Sequence, residues 1–252
     1  MPEGDTIFRT ASTLRRWLVG FEITAARSTA PVPVEILIGD RVVAVEPTGK
    51  HLLMRFASER VLHTHMQMTG AWHVYPTGAR WRRPASQARL VLEAGPRTAV
   101  CFNAPVIELL APGGARVHPA LVALGPDVLA EPLDLAGVVE RAGQRPPETE
   151  VGELLLDQRV VCGIGNIYRS EALFLSGVHP RRRATGVDVS AVVAAAARLM
   201  RANLGSRGGP QGHWVYRRTG RPCRRCGARI EAGRVGSQAR TAYWCPSCQP
   251  PA

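Results

Sequence analysis

Leu156-Asp157-Gln158-Arg159-Val160-Val161-Cys162-Gly163-Ile164-Gly165-Asn166-Ile167-Tyr168 joins two segments whose apolar residues recur with helical spacing. Upstream, Val151 to about Val160 reads as one helix; downstream, Ile167 to Leu175 reads as another, stopped by Gly177 with His179-Pro180 beyond. Gly163 and Gly165 permit a tight hairpin between the two, whose backbone N–H groups can hold an anion. Glycine turns between helices are common. Arg169 and Arg181-Arg182-Arg183 follow this one closely, and they favour phosphate as the anion. A third helix is expected from about Asp188 to Leu204.

Charge supports the same reading. The net charge is +12, yet residues 1–150 carry 16 cationic and 15 acidic side chains. The remaining 102 residues carry 16 arginines against Glu153, Asp157, Glu171, Asp188 and Glu231. A strongly basic half calls for a polyanion, and nucleic acid is the commonest. An acidic membrane is the rival, but no basic amphipathic helix with a Trp or Phe face is present. The start is acidic and lacks the apolar core of a secretory signal, and no apolar run approaches the roughly 20 residues that span a bilayer. A soluble, cytoplasmic protein is expected, with no membrane partner.

Outward toward the N-terminus the period changes. Ile7, Ala11, Leu14 and Leu18 place a helix over about Asp5–Val19, with Gly20 as its stop. Short strand-like runs follow: Arg41-Val-Val-Ala-Val, Leu52-Leu-Met-Arg-Phe, Arg60-Val-Leu-His-Thr-His, Arg89-Leu-Val-Leu and Val106-Ile-Glu-Leu-Leu. Pro47-Thr48-Gly49 and Pro76-Thr77-Gly78 punctuate them as turns. The pattern is that of a β-sandwich or barrel. Ala111-Pro-Gly-Gly and the proline-rich stretch near Gln144 read as connections.

Lys50 is the only lysine among 32 cationic side chains. An ammonium can exchange protons where a guanidinium cannot, so a single retained lysine just after a tight turn is a candidate for chemistry. A GC-rich genome could leave one lysine by chance. The N-terminus weighs on the other side. With Met1 removed, Pro2 becomes a secondary amine, and a terminal amine is unprotonated at neutral pH roughly several hundredfold more often than a lysine. Attack of such an amine on a sugar C1′ yields an iminium, an electron sink that can expel a β-phosphate. Glu3 beside it could shuttle protons.

Toward the C-terminus, Cys223-x2-Cys226 and Cys245-x2-Cys248, 18 residues apart, have the spacing of a four-thiolate zinc site. Cys101 and Cys162 lie in apolar settings and read as buried thiols. His63, His65 and His73 lack a neighbouring carboxylate or cysteine to complete a metal site, so none is expected there.

These pieces together resemble the formamidopyrimidine-DNA glycosylase / endonuclease VIII family. The resemblance rests on Pro2-Glu3-Gly4, Thr48-Gly49-Lys50-His51-Leu52-Leu53, His65-Met66-Gln67-Met68-Thr69-Gly70, Leu156 through Tyr168, and the cysteine finger with Arg240 five residues before Cys245. The matches run in family order over almost the entire chain. They imply an α+β multidomain protein: an N-terminal β-sandwich with a flanking helix (1–115), a helix–two-turns–helix domain (116–213) and a C-terminal zinc finger (214–252), with damaged double-stranded DNA in the cleft between. They imply Pro2 as Schiff-base nucleophile, Glu3 as general acid/base and Lys50 as active-site cation. Asn166 and Arg240 carry over as phosphate clamps, Tyr168 as a further DNA-side residue, and Gln67 and Met68 as side chains that fill the void left by an extruded base. The implied protein is a bacterial, nucleoid-associated monomer with one structural zinc ion and no catalytic cofactor.

Three departures point to the endonuclease VIII branch and oxidised pyrimidines. The start is Pro-Glu-Gly-Asp-Thr where the oxidised-purine branch carries Pro-Glu-Leu-Pro-Glu, and Thr6 replaces a glutamate found in both branches. Val100-Cys101-Phe102-Asn103 has no arginine to read an orphaned cytosine. The stretch from Leu204 to Trp214 is too short for the loop that covers 8-oxoguanine in the purine branch. The expected activity is a bifunctional DNA glycosylase/AP lyase working by β,δ-elimination. The alternatives are a non-catalytic binder of damaged or abasic DNA with the same fold, an oxidised-purine glycosylase, or a zinc-ribbon nucleic-acid binder with a coincidental N-terminus.

Overall fold

A computed structural model describes residues 2–205 and 212–251. The chain forms two compact units, Met1–Val122 and Ala123–Ala252.

The first unit opens with α1 (Gly4–Leu18), one residue offset from the sequence expectation. Ile7, Ala11, Leu14 and Leu18 are all buried, so the stripe read from the sequence is the face that packs. Eight strands follow: β1 (Ile23–Ser28), β2 (Val42–Thr48), β3 (His51–Phe56), β4 (Val61–His65), β5 (Ala71–Pro76), β6 (Ala88–Ala94), β7 (Arg97–Phe102) and β8 (Val106–Leu110). They make two four-stranded sheets, ordered β1-β6-β7-β5 and β2-β3-β4-β8, with every strand pair antiparallel. Leu52, Met54 and Leu62 of one sheet share a single core with Leu90, Leu92 and Cys101 of the other and with the α1 stripe. That is the expected sandwich with its flanking helix. Arg15 ties α1 to the sheet, donating from Nε (3.2 Å) and Nη2 (2.7 Å) to the carbonyl of Val45 on β2.

The second unit contains α3 (Leu135–Gly143), preceded in the chain by the one-turn α2 (Pro119–Val122) of the first unit, then α4 (Val151–Leu154), α5 (Asn166–Leu175) and α6 (Val189–Gly205). A hairpin of β9 (Glu231–Val235) and β10 (Arg240–Trp244) follows. Phe174 of α5 packs with Val215, Cys223, Ile230 and Cys245, so the helices and the cysteine finger share apolar contacts. Glu171 of α5, 5 % exposed, accepts the backbone N–H groups of Trp214, Val215 and Tyr216 at 2.7, 3.0 and 2.9 Å. A buried carboxylate so supplied fixes the entry of the finger segment.

One expectation is corrected. The helix read over Val151–Val160 stops at Leu154. Asp157 captures the backbone N–H of Arg159 (3.0 Å) with its side chain and holds the guanidinium as well (2.9 and 3.0 Å). Such local bonding competes with helical bonds and turns the chain. Among the described residues no helix is long and apolar enough to cross a membrane.

Candidate active site and nucleic-acid contacts

In the first unit, Glu3 is the residue that starts α1: its carbonyl accepts the N–H groups of Thr6 (2.9 Å) and Ile7 (3.1 Å). Glu3 is 1 % exposed and Pro2 half-buried. Pro2 and Glu3 are therefore packed rather than frayed, and a carboxylate sits at the positive end of a helix dipole, where charge is favoured. The same helix is anchored by Arg15 to β2, the strand that leads to Lys50.

Lys50 occupies a two-residue turn with Gly49, closed by the Thr48–His51 pair. Gly49 has φ +57°, the left-handed region that favours glycine. The turn sets Lys50 beside a group of histidines. His51 of β3 pairs with His65 of β4, and Leu53 with His63. Burial first, then His65, His63, His118 and Lys50 in that order, push His51 down to about 3. His65 is lowered by burial, then by His63 and Lys50. The field of Lys50 thus reaches two imidazoles, both kept neutral.

His51 Nδ1 lies 2.8 Å from His63 Nε2, and His63 Nδ1 lies 2.7 Å from Glu108 Oε2. The sequence shows no carboxylate near these histidines; pairing of β4 with β8 sets Glu108 directly opposite His63 and supplies one. His118 adds a second imidazole, with Nε2 3.2 Å from the same oxygen. Glu108 and His118 are residues of this corner that sequence reasoning missed, while His51 and His65 stood in the quoted motifs without a role. The only signal was the His63-x-His65 alternation, which puts both on one face of a strand.

The loop after β4 holds Met66 buried and Met68 64 % exposed. Gly70 donates its N–H to Met66 O at 2.8 Å, and a Cβ on Gly70 would lie 2.6 Å from that oxygen. The close approach requires glycine. Gln67, exposed with φ +44°, and the Thr69 hydroxyl bond to Asn103 O (3.2 Å) complete a tight loop that projects Met68 into solvent. An exposed, flexible apolar tip suits insertion into a base stack.

In the second unit, Gln158 braces the 156–165 segment. Its Oε1 accepts Gly163 N–H (3.0 Å), and its Nε2 donates to Leu156 O (2.9 Å) and Ile164 O (3.1 Å). The segment delivers Asn166 to the first position of α5. Arg169 is not the phosphate-facing residue that the sequence indicates: it is fully buried. Its Nη1 donates to Gly152 O (3.2 Å), and its Nη2 donates to Thr241 O (2.6 Å) and to Asn166 Oδ1. The amide oxygen of Asn166 takes the guanidinium, so the end of this side chain that could serve an anion is its NH2 group, a donor. Tyr168 is buried at 4 % exposure and accepts a bond from Asn203 Nδ2 at 2.9 Å. Its ring lies in the helical core beneath α5.

Arg240 is exposed at the start of β10, next to Thr241. The turn before it is clasped by carboxylates: Gly236 N–H donates to Glu150 (2.6 Å), and both Ser237 N–H (3.1 Å) and the Ser237 hydroxyl donate to Glu153. A pocket of about 420 Å³ lies between the 156–159 turn and this hairpin, with Arg159 and Arg240 among its lining residues.

The four cysteine sulfurs lie within 4.8 Å of one another, with Cys226–Cys245 at 3.5 Å and Cys223–Cys248 at 4.0 Å. Zinc–thiolate bonds of about 2.3 Å place tetrahedral sulfurs about 3.8 Å apart, so the set fits a metal ion. Burial opposes ionisation of Cys223, but hydrogen bonds from the N–H groups of Arg225 and Cys226 outweigh it and bring that thiol to about 7.

Both units match known proteins. Residues 1–105 match the formamidopyrimidine-DNA glycosylase N-terminal domain and residues 124–208 the H2TH domain of the same glycosylase. A probable endonuclease 8 2 of Streptomyces coelicolor is 38 % identical, over 99 % of this chain and 94 % of its own length. A DNA-(apurinic or apyrimidinic site) lyase Nei2 of Mycolicibacterium smegmatis is 35 % identical over 99 % of both. The crystal structure of Lactococcus lactis Fpg (MutM) with N7-benzyl-Fapy-dG DNA superposes with a TM-score of 0.84 at 21 % identity, covering 99 % of this chain and all of that one.

Proposed function

The chain belongs to the formamidopyrimidine-DNA glycosylase family, and from that we propose that it is a bifunctional DNA glycosylase/AP lyase of base-excision repair. It removes oxidised bases, with pyrimidines preferred, and cuts the strand at the resulting site. The observation that carries the reading is the packed chain start: a half-buried Pro2 followed by a Glu3 that is 1 % exposed.

Pro2, freed of Met1, attacks C1′ of the damaged nucleotide as a secondary amine. The base leaves, the C1′–N bond becomes an iminium, and successive β- and δ-elimination release the two phosphates. Glu3 takes and returns the protons that ring opening and elimination require. Lys50 supplies a positive charge beside the lesion and its phosphate. Asn166 and Arg240 hold phosphates of the target nucleotide, the latter with a guanidinium suited to two-point contact. Gln67 and Met68 occupy the space of the extruded base. Zinc, held by Cys223, Cys226, Cys245 and Cys248, is structural and braces the segment that carries Arg240. The pyrimidine preference rests on Val100-Cys101-Phe102-Asn103, where no arginine stands to read an orphaned cytosine, and on the short 204–214 stretch, most of which lies outside the described residues.

The test is borohydride trapping on labelled duplexes holding thymine glycol or an abasic site, with mass mapping of the adduct. An adduct on Pro2 from both substrates is expected. Intact DNA binding with no adduct on either would replace the enzyme by a non-catalytic damage binder. A second experiment addresses Lys50. Lys50→Ala should slow base removal by about a hundredfold or more, the scale of general acid–base and electrostatic assistance. It should slow lyase action on a ready-made abasic site much less. Equal losses on the two substrates would make the lysine's role purely positional.

A further inference from the structure

We propose that His63, Glu108 and His118 form a second metal site, distinct from the cysteine finger, for a borderline divalent cation of the zinc type. The inference goes beyond the glycosylase reading and does not depend on it.

One ligand atom from each residue lies within 4.8 Å of the others. The three come from three segments of the first unit. His63 and Glu108 are direct cross-strand partners on β4 and β8. His118 stands at the start of α2, where its carbonyl accepts the N–H groups of Leu121 (2.9 Å) and Val122 (3.0 Å). Zinc–nitrogen bonds of about 2.0–2.1 Å separate the donors of a tetrahedral site by about 3.3 Å. His118 Nε2 and Glu108 Oε2 are already 3.2 Å apart; His63 Nδ1 and Glu108 Oε2, at 2.7 Å, must open slightly. Glu108 can accommodate this, since its side chain is 43 % exposed. The same exposure leaves a fourth position for water. Two imidazoles and one carboxylate are a donor set for zinc and its neighbours, too nitrogen-rich for magnesium or calcium.

The site connects to the Lys50 corner through hydrogen positions. Without metal, His63 Nδ1–H donates to Glu108, so His63 Nε2 must accept, and His51 donates from Nδ1–H. Metal on His63 Nδ1 requires a lone pair there. The His63 proton then sits on Nε2 and donates to His51 Nδ1, which leaves the His51 proton on Nε2. No proton is lost from this pair; both tautomers reverse. A ligand-bound histidine whose far nitrogen donates to an outer partner is the usual arrangement, and here the outer partner is the residue next to Lys50.

Zinc content of the full chain by native mass spectrometry, in a molar excess of buffered Zn2+, decides the matter. Two zinc ions per chain are expected. His118→Ala and Glu108→Gln, both partly exposed positions that spare the buried His63, should each lose one and keep the other. Cobalt substitution separates the sites: the cysteine site gives intense thiolate charge-transfer bands, the histidine site only weak visible bands. Long-range proton–nitrogen spectra should show His51 changing tautomer as the second ion binds. A single zinc per wild-type chain, or a second one that both variants retain, would overturn the proposal and leave the cluster as a hydrogen-bonded relay only.

Discussion

A chain that retains any residue in front of Pro2 should form no borohydride-trapped adduct on Pro2 and should turn over at least about a thousandfold more slowly, the scale on which removal of a nucleophile acts. The reason lies in the amine itself. An added residue converts the Pro2 nitrogen into a tertiary amide, whose lone pair is delocalised into the carbonyl and cannot build an iminium. Glu3, Lys50 and the phosphate contacts all persist in such a chain, so binding to an abasic duplex should fall little. Pro2→Gly with a free terminus separates chemistry from placement. Its primary amine still forms an imine, though one that must be protonated to act as an electron sink, and partial lyase activity should remain. Near-normal turnover by the extended chain, after mass spectrometry shows the extension intact, would remove Pro2 from the mechanism. The α-amine of the added residue or a side-chain amine would then have to serve, and at neutral pH an ordinary lysine is unprotonated roughly several hundredfold less often than a terminal amine.

That prediction draws on residues legible in the sequence, and the reason they were legible is physical. A helix stripe such as Ile7, Ala11, Leu14 and Leu18 states its own periodicity, and all four are buried. Two Cys-x2-Cys pairs announce a tetrahedral thiolate set by spacing alone, and the sulfurs do converge. Cys101 and Cys162, read as buried thiols, are at 0 % and 1 % exposure. What the sequence concealed depends on pairing between distant segments. Glu108 meets His63 only because β4 and β8 are neighbours in register, so the expectation of no carboxylate near the histidines failed. Val151–Val160 looks helical by period, but a local bond from Asp157 ends the helix at Leu154. α3 went unread because its segment, Leu135–Gly143, is short and buries only Val138. Arg169 is the sharpest case. Within a run of arginines near a glycine turn, nothing in the sequence distinguishes a guanidinium that faces phosphate from one that lies in the core.

The position of Arg169 sets the second large effect. Arg169→Met keeps much of the volume but removes every donor, and Gly152 O, Thr241 O and Asn166 Oδ1 lose the partner they have in the native fold. Replacing a buried charge with an apolar side chain can be neutral when its partners are replaced as well. Here the acceptors stay behind, each at about 1–3 kcal/mol when left unpaired in the interior. The expected loss is about 3 kcal/mol or more of unfolding free energy, read as a lower denaturation midpoint. Function should suffer through a separate route. Freed from the guanidinium, the Asn166 amide can turn its oxygen outward, toward phosphate rather than away from it. Asn166→Asp tests that route without disturbing the core: the carboxylate keeps Arg169 but presents negative charge to DNA, so it should weaken binding more than Asn166→Ala does. Arg240→Ala completes the comparison. Its side chain is exposed, so the variant should keep the wild-type midpoint while losing about tenfold to a hundredfold in binding, the worth of a hydrogen bond to a charged group. If Arg169→Met melts with wild type and binds DNA as tightly, the buried guanidinium holds neither the fold nor the clamp. If it melts early while Asn166→Asp binds no worse than Asn166→Ala, Arg169 is structural only, and the orientation of the Asn166 amide plays no part in gripping the phosphate.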